Sequence, residues 1–478
     1  MPVENTEIER RQSERPQEGG VLQLIVDALR GRGASPTEGP LTSAILLLAI
    51  PMVLEMVMES IFAVVDIFFV SRLGADAVAA VGLTESLVIV VYTLAMGLSI
   101  GVTATVARRI GEGDAEAAGR ATAQGILLGI AIGVSLGLIG LWKAPALLAL
   151  MGASESVVVV GQGYARLLLG MNSVIVLLFL LNAAFRGAGD AAIAMRVLWL
   201  ANGLNLILDP ALIFGLGPFP EMGVTGAALA TTIGRGTAVC VQLVTLFRLS
   251  DRLRVAWALF RPRLDVMGRL VRLSATGTFQ IFVGTASWLG LVRVIATFGA
   301  EAVAGYTVAI RIVMFALLPA WGLSNAAATM VGQNMGAGLP ERAESAVWRA
   351  SFMNFVFLGT VGVVFVAFAP QLVGLFGVDA VTGRYAVHGL RIIAAGFLFY
   401  AYGMTLTQAF NGAGDAWTPT WLNVACFWMW EIPLAWGLAV RGSWGAEGVF
   451  SAIAIAYATL AVAAAVLFRR GRWKAVTV

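Results

Sequence analysis

Three acids sit inside one apolar stretch. The run from Ala44 to Gly74 reads AILLLAIPMVLEMVMESIFAVVDIFFVSRLG and contains Glu55, Glu59 and Asp66. It is long enough to cross a bilayer, which takes about 20 residues of helix. The acids are spaced by four and then seven residues, so a helix turning about 100° per residue puts all three on one face. A carboxylate at the centre of a membrane helix costs roughly 2.5–3.5 kcal/mol on insertion scales. That face is expected to look into protein or a water-filled cavity, where an acid is by default a candidate for handling an ion or a substrate. Asp66, the most deeply flanked, is expected to have a transport role. The alternative is a structural acid neutralised by a proton or a buried partner.

A second group lies further on. Asn205 and Asp209 are four residues apart in NLILDP and share a helix face, so an amide and a carboxylate can share a cation or a proton network. Pro210 has no N–H, which leaves the carbonyl of Leu206 without its helical donor beside the acid. Thr231 and Arg235 are likewise four apart. Arg235 needs an anion, and Asp209 or Asp66 is the expected candidate; simple packing between helices is the alternative. Pro51 precedes Asp66 by fifteen residues and either kinks the helix or lets it bend to gate access. In the second half, Glu431 with Trp428 and Trp430 is a candidate cavity lining, and aromatic or Met-rich walls suit flat organic cations.

The composition says what must position these groups. Of 478 residues, 59% are hydrophobic and 13% charged, with a mean hydropathy of +0.85; soluble domains carry about 25% charged residues. The apolar runs have the length of helices rather than of barrel strands, so the fold class is an all-α membrane protein. The net charge of +4 reports topology more than a nucleic-acid partner. Cys240 and Cys426 lie in apolar segments, and His388 is the single histidine, which excludes a disulfide framework and a His-cluster metal site. There is no phosphate loop and no nucleophile–base pair. The chain is expected to be no enzyme, to carry no cofactor, and to be driven by an ion gradient.

Twelve spans are expected, near 43–72, 77–107, 118–143, 156–186, 190–214, 224–248, 272–297, 302–332, 343–369, 382–410, 415–440 and 446–468. They divide the chain into a mostly disordered tail (1–40, with a short surface helix near Val21–Leu29), a six-helix lobe (41–248), a basic connector (249–271), a second six-helix lobe (272–468) and a basic tail (469–478). Arg252, Arg254, Arg261, Arg263 and Arg269 in the connector, and Arg469, Arg470, Arg472 and Lys474 at the end, place both termini in the cytoplasm under the positive-inside rule.

The halves repeat at an offset of 225. LGADAVAAVG (73–82) answers FGAEAVAGYT (298–307), Gly97-Leu98-Ser99 answers Gly322-Leu323-Ser324, Gly111 and Gly113 answer Gly336 and Gly338, Gly152 answers Gly377, and RGAGD (186–190) answers NGAGD (411–415). Each lobe has an even number of spans, so the lobes share an orientation and are related by a pseudo-two-fold axis along the membrane normal, an arrangement suited to alternating access by rocking. The acids break the pattern: Asp66 maps onto Leu291 and Asp209 onto Leu434. That asymmetry points to one ion site, in the first lobe; drift after duplication is the alternative.

The motifs PMVLEMVMESIFAVVDIFFVSRLGADAVAAVG (51–82), GLSIGVTATVARRIGEGD (97–114), RGAGD (186–190), LNLILDPALIFG (204–215), GVTGAALAT (223–231), VGQNMGAG (331–338) and NGAGD (411–415) together resemble the multidrug and toxic compound extrusion family over roughly residues 43–468. The resemblance implies a monomeric antiporter in the cell (cytoplasmic) membrane that exports small amphipathic, often cationic compounds in exchange for protons or sodium. Asp66 falls on the family's first-helix aspartate, Pro51 on its first-helix proline, and Asn205 and Asp209 on the fifth-helix pair of the DinF-like branch, with Thr231 at a sixth-helix threonine. A possible Na⁺ site at Asp66, Asn205 and Asp209 follows from the same likeness. The positions of the second-lobe acids of the NorM-type branch fall here near Gly284 and Tyr400, which favours coupling through the first lobe. A flippase of a lipid or lipid-linked sugar is the alternative on such a scaffold and calls for a strongly cationic cavity.

Overall fold

The computed structural model describes residues 21–31, 35–250 and 252–477. The expectation of disorder over 1–20 and 32–34 lies outside the described residues. A short helix, Val21–Arg30, precedes the bundle.

Nine helices among the described residues are long and apolar enough to cross a membrane. The first three spans are Leu41–Ser71, Ala75–Gly111 and Ala115–Leu150. The fourth is a bent pair, Glu155–Gly170 with Asn172–Gly187, and the tenth is another, Ala380–Ala395 with Phe397–Ala413; the bends are 43° and 57°. They break at Met171 and Gly396, again 225 residues apart. The fifth and sixth spans are Ala191–Phe214 and Val224–Arg248, and the seventh to ninth begin with Leu264, Ala300 and Pro340. The eleventh alternates between α and π geometry: Trp417–Asn423 and Ile432–Trp436 are α-helical, Val424–Glu431 and Gly437–Arg441 π-helical. The twelfth is Ala446–Arg469. The seventh span begins at Leu264, so the last part of the basic connector is already helix.

Long apolar stretches form these helices because a helix satisfies its own backbone polar groups where a bilayer offers them no water. Their ends are set by local chemistry. Asp114 accepts a bond from Ala117 N–H and caps the third span. Asp379 does the same for Val381 and Thr382 at the tenth, and bonding from Thr382, side chain first and then backbone, with that from Val381, holds its carboxyl below the ordinary aspartate value. The turns at 186–190 and 411–415 place Gly189 and Gly414 at φ of 84° and 86°, where a side chain would be strained.

One core lies in each half. Val81, Leu98, Leu180 and Phe185 belong to the first, and Tyr306, Leu390, Phe410 and Phe450 to the second. A smaller core joins them, in which Ala44, Ile45, Leu48 and Met52 of the first span meet Leu323, Ala327 and Met330 of the eighth and Ala350 of the ninth. Twelve helices thus form two lobes that touch along one end of the bundle.

That end is the one carrying the connector and the described chain ends. There Gly111 packs on the backbone of Gln333 and Gly336 on that of Arg108; further along the second span, level with the cleft, Gly97 packs on Thr278 and Gly101 on Ser274. Two segments also cross between lobes. The carbonyls of Pro36, Glu38 and Gly39 accept bonds from Arg342, and Arg108 donates to the carbonyl of Val476 at 3.2 Å. Above this seal lies a cleft of about 820 Å³, lined by Met56, Met96, Phe179 and Arg186 from the first lobe and by Leu318, Trp321, Asn325 and Gln408 from the second.

Candidate functional site

The three acids of the first span have three different environments. Glu55 is 1% exposed. Its Oε1 accepts from Arg186 Nη1 at 3.3 Å and from Asn182 Nδ2 at 3.2 Å, and Asn182 Oδ1 in turn accepts from Gln242 Nε2 at 2.5 Å. Glu59, one turn on, faces Arg235 at 3.5 Å and accepts from Asn202 Nδ2 at 3.3 Å. Arg235 also donates to the Tyr92 hydroxyl at 2.8 Å and stands over the Phe62 ring at 5.7 Å.

The counter-ion of Arg235 is therefore Glu59, not Asp66 or Asp209. Depth is the reason. The first span climbs from the sealed end and the sixth descends toward it, so Arg235, one turn deeper than Thr231, meets Glu59. Asp66 is seven residues beyond Glu59, roughly 10 Å further along the axis.

Asp66 is 8% exposed and makes neither a hydrogen bond nor an ion pair among the described residues. Asp209 is fully buried, and both its carboxyl oxygens lack a hydrogen-bond partner. Asp209 lies within reach of the Asp66 charge. Asn205 Nδ2 donates to Thr231 Oγ1 at 3.1 Å, while Asn205 Oδ1 is unpartnered. The fifth and sixth spans thus bring Asn205, Asp209 and Thr231 together, and Asp66 approaches them from the first.

Oxygens left unsatisfied in a buried site are costly and call for an occupant. Here they are two carboxylate oxygens and an amide oxygen, a donor set that fits a proton or a hard monovalent cation. No group of three or more His, Cys, Asp or Glu side chains among the described residues is arranged to hold a metal ion, so a cation here would rest partly on neutral oxygens.

Pro51 lies inside a helix that continues through it. The carbonyl of the next residue, Met52, lies against Gly322 of the eighth span, so closely that a Cβ on Gly322 would stand 2.5 Å from it.

In the second lobe Glu431 is 2% exposed and faces a cavity of about 310 Å³ with Trp288, Tyr306, Tyr400 and Tyr457. The expected neighbours are elsewhere: Trp428 donates its Nε1 to the Val283 carbonyl at 2.9 Å, and Trp430 is exposed. The aromatic lining comes from other spans.

Sequence reasoning missed Asn182, Asn202, Gln242 and Tyr92. Asn182 stands four residues before Arg186, a spacing visible in the chain, but nothing local shows that both turn to Glu55.

Two pseudo-symmetric six-helix lobes around a cleft closed at one end, with unpartnered acids inside one lobe, define a multi-pass membrane carrier. The family model MatE matches residues 51–211 and 279–436, and the chain belongs to that family of multidrug and toxic compound extrusion transporters; it is a transporter, not an enzyme. It is 26% identical over 414 residues to the probable multidrug resistance protein NorM of Thermotoga maritima, covering 83% of this chain and 87% of that one. It is 26% identical over 343 residues to the FAD transporter of Shewanella oneidensis, with 71% and 75% covered. Among solved structures, the outward-facing conformation of a multidrug resistance MATE family transporter of the MOP superfamily matches with a TM-score of 0.85 at 29% identity, over 92% of this chain and 97% of that one.

Proposed function

We propose that the chain exports small amphipathic, often cationic compounds across the cell membrane in exchange for protons or sodium, with the coupling ion held in the first lobe by Asp66, Asn205, Asp209 and Thr231, as in the DinF-like branch. The observation that carries this reading is Asp209: buried, with both oxygens unpartnered, beside the free amide oxygen of Asn205. An incoming cation or proton satisfies these oxygens and draws the first, fifth and sixth spans together. Because the first span also packs on the eighth around Met52 and Gly322, a change in its shape, with Pro51 as the bending point, reaches the seal between the lobes. An antiporter needs such a two-state element, biased oppositely by ion and substrate.

With both termini and the connector in the cytoplasm, the seal is cytoplasmic and the cleft faces outward. Its apolar, aromatic and thioether walls suit amphipathic molecules. A flippase of phosphate-bearing lipids calls for a cationic cleft. Arg186 is the one charged side chain among the described residues lining this cleft, and it is paired with Glu55.

The test is transport in proteoliposomes with a pH gradient or a Na⁺ gradient imposed separately. Wild type is expected to move a fluorescent cationic dye against its gradient under one of them, and D209N and D66N to lose that coupling. Full coupled transport by D209N at wild-type protein levels overturns the assignment.

A further inference from the structure

The second and eighth spans, Ala75–Gly111 and Ala300–Gly336, have 37 residues each and the same bounds at the repeat offset. At the sealed end they meet through Gly111 and Gly336. Toward the open end each carries a single charge within its apolar run, Glu85 on the second span and Arg311 on the eighth. Glu85 maps onto Ile310, the neighbour of Arg311, so the two charges stand at one depth, 26 and 25 residues from those glycines. Both lie about 15 Å inside the ends of their helices.

The helical period turns both charges toward the facing lobe. Glu85 precedes Met96 by eleven residues and Thr103 by eighteen, about three and five whole turns, and both of those residues line the cleft. Arg311 precedes Leu318 by seven residues and Asn325 by fourteen, about two and four turns, and these line the cleft from the other side. Glu85 and Arg311 thus continue the two walls of the cleft toward its mouth.

In this structure the two stand apart. Both are exposed, and neither makes a hydrogen bond or an ion pair among the described residues, yet Glu85 lies within reach of the Arg311 charge. Asp66 and Arg235 also lie within its reach, but Arg235 is held by Glu59 and Tyr92. Across a water-filled mouth opposite charges attract weakly, because water and salt screen them. Closing the mouth removes that water. An ion taken out of water without a counter-ion is strongly disfavoured, and Arg311 is the cation that the facing lobe presents at the level of Glu85.

We infer that Glu85 and Arg311 join as an ion pair between the lobes when the cleft closes at its mouth, and that they hold that closed form as the glycine contacts hold the sealed end here. The inference rests on the reading of the chain as a carrier whose lobes rock. It gives a role to two charged residues that lie outside the ion site of Asp66 and Asp209.

The test is the distance between spin labels at Ala75 and Ala300, the exposed first residues of the two spans. It is read by pulsed electron resonance on the full-length protein in lipid nanodiscs, with Cys240 and Cys426 replaced by serine, over a series of pH values and Na⁺ concentrations. The unaltered pair is expected to show a long distance for the open mouth and a shorter one for the closed. Glu85→Gln and Arg311→Gln are each expected to lower the closed-to-open ratio about tenfold, the scale of a close charge pair across an interface. The double variant is expected to be no worse than either single one, because the partners share one interaction. Two distances whose ratio neither variant changes overturn the inference and leave the carrier reading standing. Losses that multiply in the double variant also overturn it, as does a loss in Glu85→Gln alone, which assigns Glu85 to the first-lobe acids. A single distance under every condition overturns the inference together with the rocking motion it rests on.

Discussion

Alanine at Gly336, and more so at Gly111 and Gly336 together, is expected to wedge the sealed end open. The two glycines stand 225 residues apart, and so do their contacts, Arg108 and Gln333. A Cβ on Gly111 would lie 2.0 Å from the Gln333 carbonyl oxygen and one on Gly336 2.1 Å from that of Arg108, whereas ordinary contact begins at 3.4 Å. Each methyl thus demands more than an ångström of extra separation where the lobes meet, against backbone that cannot swing aside. Within its own helix alanine is favoured over glycine by about 0.8–1 kcal/mol, so the penalty falls on the contact between lobes. Overpacking of this kind costs about 1–3 kcal/mol, a shift of about 5–150-fold in the equilibrium between sealed and opened forms. Spin labels at Ala115 and Leu339, both exposed at the sealed end, in a background with Cys240 and Cys426 replaced by serine, read the separation by pulsed electron resonance. The variants are expected to populate a longer distance at the expense of the wild-type one. An unchanged distribution in the double variant, with unchanged thermal stability, refutes the idea that these two contacts set the seal.

Two further perturbations test the surroundings. Arg186→Met leaves Glu55 buried without its cation, a change that costs about 3–5 kcal/mol for a buried pair; the melting temperature in detergent is expected to fall sharply and to recover in part when Glu55→Gln is added. At the start of the tenth span, the Asp379 carboxyl is held below the ordinary aspartate value by the bonds it accepts from Thr382 and Val381. The cap is therefore in force above that ordinary value and fades as pH falls through the depressed one, so the difference in melting temperature between wild type and Asp379→Ala is expected to close in strong acid.

How far the sequence could be read follows from which residues depend on local geometry. Spans, the offset of 225 and the common face of Glu55, Glu59 and Asp66 all arise from spacing along one helix. Asn205 and Asp209, four apart, belong to the same class. The partner of Arg235 does not. It depends on the relative depth of two antiparallel helices, which no pattern within either fixes, and Glu59 was the acid at the right level. The second lobe shows a different limit. Trp428 and Glu431, three apart, share a face of an α-helix, but this stretch bonds from i to i+5, so each residue turns through a smaller angle and the expected neighbours separate. The bends at Met171 and Gly396 show a third: they recur at the offset of the repeat, yet without a proline in either break nothing local announced them.

The distribution of repeated and unrepeated residues divides the labour of the molecule. Gly97, Gly111, Gly322 and Gly336 recur at the common offset, and the structure puts all four where one lobe touches the other. A rocking motion about a pseudo-two-fold axis needs both lobes to offer equivalent close surfaces, so a substitution on one side disturbs a contact whose counterpart lies on the other. Asp66, Asp209 and Arg235 do not recur, and they lie within one lobe rather than between lobes. A charge placed at the moving surface would change its solvation at every cycle, at a cost of several kcal/mol per ion. Set within a lobe, on and beside the first and fifth spans, both of which reach from the small shared core to this pocket, the acids can bias the seal through helix shape.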